Sequence, residues 1–287
     1  MASKVLTCEQ VVRQIHSGDT IALGGAGMIR KPIALVREIV RSDIVDLTVI
    51  ACLGGPDVDM LIGAGKVKRL IYAYVGFDGF GLAPNFRRAR QDGSLEALEG
   101  SEYMVMAGLE AGIRGIPFFP VRSGLGTDLL KVNPTYQVFE APFTGEKLVA
   151  VPALKPDIAL IHVNCADPSG YSQILGDHYL DLLCAKAADK VFVSAEKLVS
   201  PAEIEESRHN TCLARLWVSG VVEMPFGAHF TACYPHYTLD IDHANEYLAM
   251  AHSARSFQDY LDKYVREPND HISYMERVGG LGKLKVI

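Results

Sequence analysis

The sequence predicts an α/β fold, an open and mostly parallel sheet with helices on both faces. Three observations predict it. Strand-like and helix-like segments alternate along most of the chain, the pattern of βαβ units. The stretch Gly18–Pro32, GDTIALGGAGMIRKP, reads as strand, glycine turn and helix start. The chain has 287 residues, 49% of them hydrophobic, enough to bury a large core.

The elements follow in order. Thr20–Leu23 is a short apolar run suited to a buried strand. Gly24, Gly25 and Gly27 let the backbone turn with no Cβ in the way. Pro32 fits a first helical turn, and Ile33, Val36, Ile39 and Val40 share one face of a helix over Pro32–Arg41. Leu47–Cys52 is the next strand and runs into Gly54-Gly55-Pro56. A short helix over Asp57–Ile62 closes at Gly63, and Arg69–Val75 is a strand. Helices are expected over Asn85–Gln91 and Ser101–Arg114, each stopped by a glycine. Phe118–Val121 is strand-like. Gly124–Glu146, with few periodic apolar positions, reads as a long loop or an excursion. Ile158–Val163 and Val191–Ala195 are strands flanking a helix over Leu180–Ala188, and Val218–Val222 adds another. Ala244–Val265 reads as one long amphipathic helix. With no repeat and no clear linker, residues 1–287 are treated as one domain.

The formal net charge of −6 argues against nucleic acid and anionic membrane surfaces as partners. Six cysteines without a C-x-x-C pair read as reduced, mostly buried thiols. The start MASKVLTCEQ has no apolar h-region, and no apolar run approaches the ~20 residues of a membrane span. A cytoplasmic protein is expected.

Known motifs mostly fail on this chain. Arg30 stands where the third glycine of a G-x-G-x-x-G fingerprint must be small, which removes the dinucleotide reading. Gly63-Ala64-Gly65-Lys66 lacks P-loop spacing, and Val67 offers no hydroxyl to Mg²⁺, so Lys66 reads as a helix-end charge. Nine histidines show no paired-ligand spacing, so no metal is expected. His229 reads as a core or turn histidine, Asp57 and Asp59 as solvated helix-start acids, and Trp217 as core. No G-x-S-x-G elbow is present.

Three features remain as site candidates. The turn Gly24-Gly25-Ala26-Gly27 lies at a strand's carboxyl end, where open parallel sheets bind ligands. Its amides suit an anion or an oxyanion, although a structural turn would look the same. Glu102 follows the N-cap Ser101, and the simplest reading is a first-turn acid favoured by the helix dipole. Arg122, Ser123 and Gly124 open a small-residue loop whose cation suits a carboxylate or phosphate.

Taken together, several segments resemble the α subunit of family I coenzyme A transferases, most closely the glutaconate CoA-transferase type. They are GDTIALGG (Gly18–Gly25), Arg30-Lys31-Pro32, DMLIGAGKVKRL (Asp59–Leu70), GIPFFP (Gly115–Pro120), GEKLVAVPALKPDIALIH (Gly145–His162) and GAHFTACY (Gly227–Tyr234). The resemblance runs from about Lys4 to Val278. It implies an open α/β sheet and chemistry in which a glutamate carboxylate attacks an acyl-CoA thioester. It implies that Gly24, Gly25, Ala26 and Gly27 form the oxyanion or CoA-thioester site, with Ala26 replacing the family's aromatic. The family's nucleophile sits on a β subunit in a Ser-Glu-Asn-Gly segment, which this chain lacks. A homologous β partner, an α2β2 assembly, and coenzyme A as substrate rather than cofactor are therefore implied.

A branch of the same family opens a carbocyclic ring in CoA-linked steroid degradation products. Its essential glutamate precedes a helix leading to a Pro-Phe-x-Pro-x-Arg-x-Gly-Leu-Gly stretch. Glu102 and Pro117–Gly126 match that arrangement, while Gly-Gly-Ala stands where the branch has Gly-Gly-Trp. The resemblance thus makes a CoA transferase the leading expectation and a ring-opening hydrolase using Glu102 the alternative. A non-catalytic effector-binding module is a third, weaker reading.

Overall fold

The computed structural model describes residues 3–280. Twelve strands are described: β1 Thr20–Leu23, β2 Leu47–Gly54, β3 Val67–Val75, β4 Glu96–Glu99, β5 Phe118–Val121, β6 Gln137–Glu140, β7 Lys147–Pro152, β8 Ile158–Ala166, β9 Ser172–Gln173, β10 Lys190–Leu198, β11 Thr211–Leu213 and β12 Gly220–Glu223. The helices are α1 Cys8–Val12, α2 Ile33–Arg41, α3 Pro56–Gly63, α4 Pro84–Asp92, α5 Glu102–Arg114, α6 Leu129–Val132, α7 Asp181–Ala187, α8 Pro201–Glu206, α9 Ile241–Met250, α10 Ala254–Leu261 and α11 His271–Arg277.

The main sheet is the predicted one. Strands pair in parallel in the order β12-β10-β8-β1-β2-β3-β4. The short β9 and β11 add antiparallel pairings at the carboxyl end of β8. The chain builds outward from β1 to β4, then returns to β8 on the other side of β1. The carboxyl end of β1 is therefore the topological switch point, where open sheets place their ligands.

Alternation along the strands fills both faces. Ile21 and Leu23 of β1 join the core beneath α2, α3 and the C-terminal helices. Ala22 between them joins the core beneath α5 and α7. This is the period of two expected of a sheet covered on both faces.

Of the two readings of Gly124–Glu146 the structure has the excursion, because the stretch contains α6 and β6. β5, β7 and β6 form a separate antiparallel sheet over Met104, Ala107, Val121, Tyr136, Val149 and Val151. Four-residue strands are too short to show a period in sequence. The expected long helix over Ala244–Val265 breaks at Ala251, and Ser253 restarts it by accepting the Ser256 amide at 3.1 Å. Its apolar stripe survives the break, since Tyr247, Phe257, Tyr260, Leu261 and Tyr264 are all buried.

Candidate active site

The glycine turn after β1 is packed from every side. Gly25 and Gly27 have φ of +71° and +51°, a conformation that costs other residues dearly. A Cβ on Gly24 would stand 2.2 Å from Asp181 Oδ1, and one on Gly55 would stand 2.1 Å from Gly27 O. The turns after β1 and β2 therefore touch through bare backbone.

The hydrogen bonds of this turn are all made within the chain. Gly24 donates to Leu160 O at 2.9 Å, Ala26 to Ile29 O at 3.0 Å and Gly27 to Leu53 O at 3.0 Å. Gly25 donates to Asp181 Oδ1 at 2.8 Å, and Met28 to Asp78 Oδ2 at 3.0 Å. The turn is an anion cradle, but the anions it holds are the chain's own carboxylates. In this conformation none of the four amides is free to meet an oxyanion.

Arg30 completes that arrangement. It is buried, with φ of +54°. Its guanidinium pairs with Asp181 Oδ2 and donates to His162 O at 2.7 Å and Asp177 O at 3.0 Å. The residue that breaks the dinucleotide fingerprint thus locks the turn to α7.

Asp57 and Asp59 are not solvated, against expectation. Both are fully buried. Asp57 pairs with the equally buried Lys31 at 3.0 Å. Asp59 accepts from Phe86 N, Tyr247 OH and Asn85 Nδ2 at 2.8–2.9 Å. Burial still pushes its pKa up to about 6. Sequence reasoning missed Lys31 as well, because nothing local marks a lysine for burial.

Glu102 has a different setting. Ser101 caps α5 by accepting the Met104 amide at 3.2 Å, and Gly115 ends the helix in the left-handed region. Glu102, the first residue, is exposed, and its carboxylate has no hydrogen-bond or ion-pair partner among the described residues. Cys52 on β2 lies beneath it, with Sγ 3.9 Å from Glu102 O. Burial, reinforced by the Glu102 charge and opposed by Lys31, pushes the Cys52 thiol up to about 12. Cys52 therefore stays protonated and links the α5 start to the ground beneath the glycine turn.

The third candidate divides. Ser123 Oγ lies 2.6 Å from Ser101 Oγ, beside the cap of the Glu102 helix. Gly124, with φ of +91°, packs near Met104. Arg122 is exposed and forks onto Glu146, so its expected role as a substrate cation meets a competing carboxylate.

The other singled-out residues have structural partners. His229 is buried between Tyr274 OH at 2.8 Å and Asp240 Oδ2 at 3.1 Å. Lys66 is buried against Ser42 O. Trp217 is half-buried beneath Lys186 rather than in the core. His162, Glu196 and Cys233 bring three potential metal-ligand atoms within 4.8 Å of one another. Their neighbours already occupy them. His162 meets Ser194 Oγ at 2.8 Å and Glu196 at 2.7 Å, and Glu196 also accepts from Tyr237 OH and Phe226 N. Among the described residues no helix is long and apolar enough to cross a membrane.

A doubly wound parallel sheet with two interlocked glycine turns at its carboxyl edge defines an α/β protein with its crevice at the switch point. The chain belongs to the coenzyme A transferase family, whose model matches residues 5–215. It is 38% identical over 277 residues to the cholesterol ring-cleaving hydrolase IpdA subunit of Rhodococcus jostii, covering 93% of each chain. It is 33% identical to a glutaconate CoA-transferase subunit of Acidaminococcus fermentans, covering 99% of this chain and 95% of the relative. The solved glutaconate CoA-transferase structure from that organism superposes with a TM-score of 0.94 at 33% identity, covering 99% of this chain and 96% of the other. Family membership sets aside the effector-binding module.

Proposed function

We propose that the chain is the α subunit of a two-subunit enzyme acting on an acyl-CoA thioester, with Glu102 as the carboxylate it brings to the reaction. One observation carries the proposal. Glu102 is an exposed carboxylate at the carboxyl edge of the sheet with no partner among the described residues, where the acids Asp57, Asp78 and Asp181 are engaged. With the turn's amides engaged too, the donors for a developing oxyanion come from a second chain. A homologous β subunit in an α2β2 assembly fits that need. Coenzyme A is substrate, and no resident cofactor or metal is proposed.

Coenzyme A transfer is the first reading. A glutamate carboxylate adds to the thioester carbonyl and the C–S bond breaks, giving an acyl-glutamyl anhydride and CoA thiolate. The thiolate then attacks the glutamyl carbonyl, releasing the acid and leaving a glutamyl-CoA thioester. Ring-opening hydrolysis of a CoA-linked cyclic dione is the second reading, favoured by a free carboxylate on this chain. There Glu102 takes a proton from water, hydroxide adds to a ring carbonyl, the adjacent C–C bond breaks, and the carbanion takes a proton back.

The test is to assemble the two chains, add acyl-CoA, and trap with hydroxylamine or borohydride. A trapped adduct on a glutamate of the partner chain supports transfer. Water-derived oxygen in the opened product, with no adduct and no turnover in Glu102→Gln, supports hydrolysis. An adduct confined to a partner glutamate, with full turnover in Glu102→Gln, removes Glu102 from the proposal.

A further inference from the structure

An ion pair unused by that reaction lies beneath the glycine turn. Lys31 and Asp57 have no solvent exposure, and their charged atoms are 3.0 Å apart. Lys31 Nζ also donates to Leu53 O at 3.2 Å and to Gly25 O at 3.4 Å. Asp57 Oδ1 accepts the Gly55 amide at 2.9 Å. Asp57 Oδ2 has no hydrogen bond, so the lysine charge is what compensates it. One cation thus holds carbonyls at both strand ends, and its counter-ion holds an amide of the second turn.

The two turns also interlock directly. Gly27 donates to Leu53 O, and Gly55 passes so close to Gly27 O that no Cβ fits. Cys52 is one residue from Leu53, and its sulfur touches the backbone of Glu102. Two buried charges are a costly way to gain stability, since a well-packed apolar pair often does as well or better. What a charged pair adds is a fixed geometry between the groups that it holds.

We infer that Lys31 and Asp57 are positioning residues that set the spacing of the β1 and β2 turns and, through Cys52, the place of Glu102. The inference rests on the proposed role of Glu102 and is tested by variants that separate spacing from stability. Lys31→Met or Asp57→Asn alone leaves the pair unbalanced and lowers Tm. The double variant removes both charges, so Tm recovers. Turnover in the double variant should stay down about 10²-fold with KM little changed, the cost of a misplaced group. Gly55→Ala, which alters no charge, should lower kcat in the same way.

Amide exchange in segments 24–31 and 53–57 needs no substrate. It should quicken in the double variant while the remaining sheet stays protected. Recovery of both Tm and kcat, or unchanged exchange in those segments, overturns the inference. So does failure of the double variant to fold, which would make the pair purely structural. A wild-type enzyme inactive on every acyl-CoA overturns the proposed function instead, and the exchange result still decides the positioning role.

Discussion

The glycine turn after β1 and the start of α5 lie at the same edge of one sheet, and both follow a strand through small residues. In the turn every amide from Gly24 to Met28 has a partner. At the start of α5 the cap is satisfied, but the first side chain, Glu102, is not. The glycine pattern is the louder sequence signal, and its amides are bonded within the chain. The quieter signal, one acid after a serine, marks a carboxylate with no hydrogen-bond or ion-pair partner among the described residues. A polar group's partners, more than its motif, distinguish the two.

The comparison breaks most readily at Asp181. Asp181→Ala leaves Arg30 buried without its counter-charge and frees the Gly25 amide. A loss of about 3–5 kcal/mol in urea unfolding is expected. A loss well under that would mean the turn is less dependent on its carboxylates than the geometry requires.

Asp59 gives the next effect, one of pH. Burial holds its folded pKa near 6, above the unfolded value, so the folded chain keeps the proton more tightly. Its stabilising contribution is complete below about pH 4 and disappears as pH rises through 6. Relative to Asp59→Asn, the wild type should lose stability between pH 4 and 7, by an amount on the order of 2–3 kcal/mol. Parallel stability curves for the two proteins would contradict the buried setting.

Smaller effects belong to the α5 side. Ser123→Ala removes the contact to Ser101 and should cost about 1 kcal/mol. A stability change outside roughly 0.5–1.5 kcal/mol would show a different role for that contact. Arg122→Ala breaks only an exposed ion pair with Glu146, so Tm and KM should stay near wild type. A large rise in KM would restore Arg122 as a substrate cation.

The fold was legible where local physics decides. β1, β2, β3, β8 and β10 are apolar runs ended by turns, and α5 carries its start signal, Ser101, and its stop signal, Gly115. β4, β6, β7, β9 and β11 were not read, because two to six residues carry too little pattern to compete with a loop. The site was legible in outline only. Glu102 and the glycine turn could be picked out, but the engagement of the turn depends on Asp181, 156 residues further along the chain. The burial of Lys31, Asp57 and Asp59 likewise depends on neighbours in space. Charge in sequence reads as exposure until a partner is known.

The most direct measurement concerns Glu102 itself. Glu102→Gln, assembled with its partner chain, should keep a near wild-type Tm, because the carboxylate has no hydrogen-bond or ion-pair partner among the described residues. Its turnover of acyl-CoA should fall by roughly 10²–10⁴-fold, the contribution of a positioned acid or base. An unchanged Tm with near wild-type turnover would contradict the account.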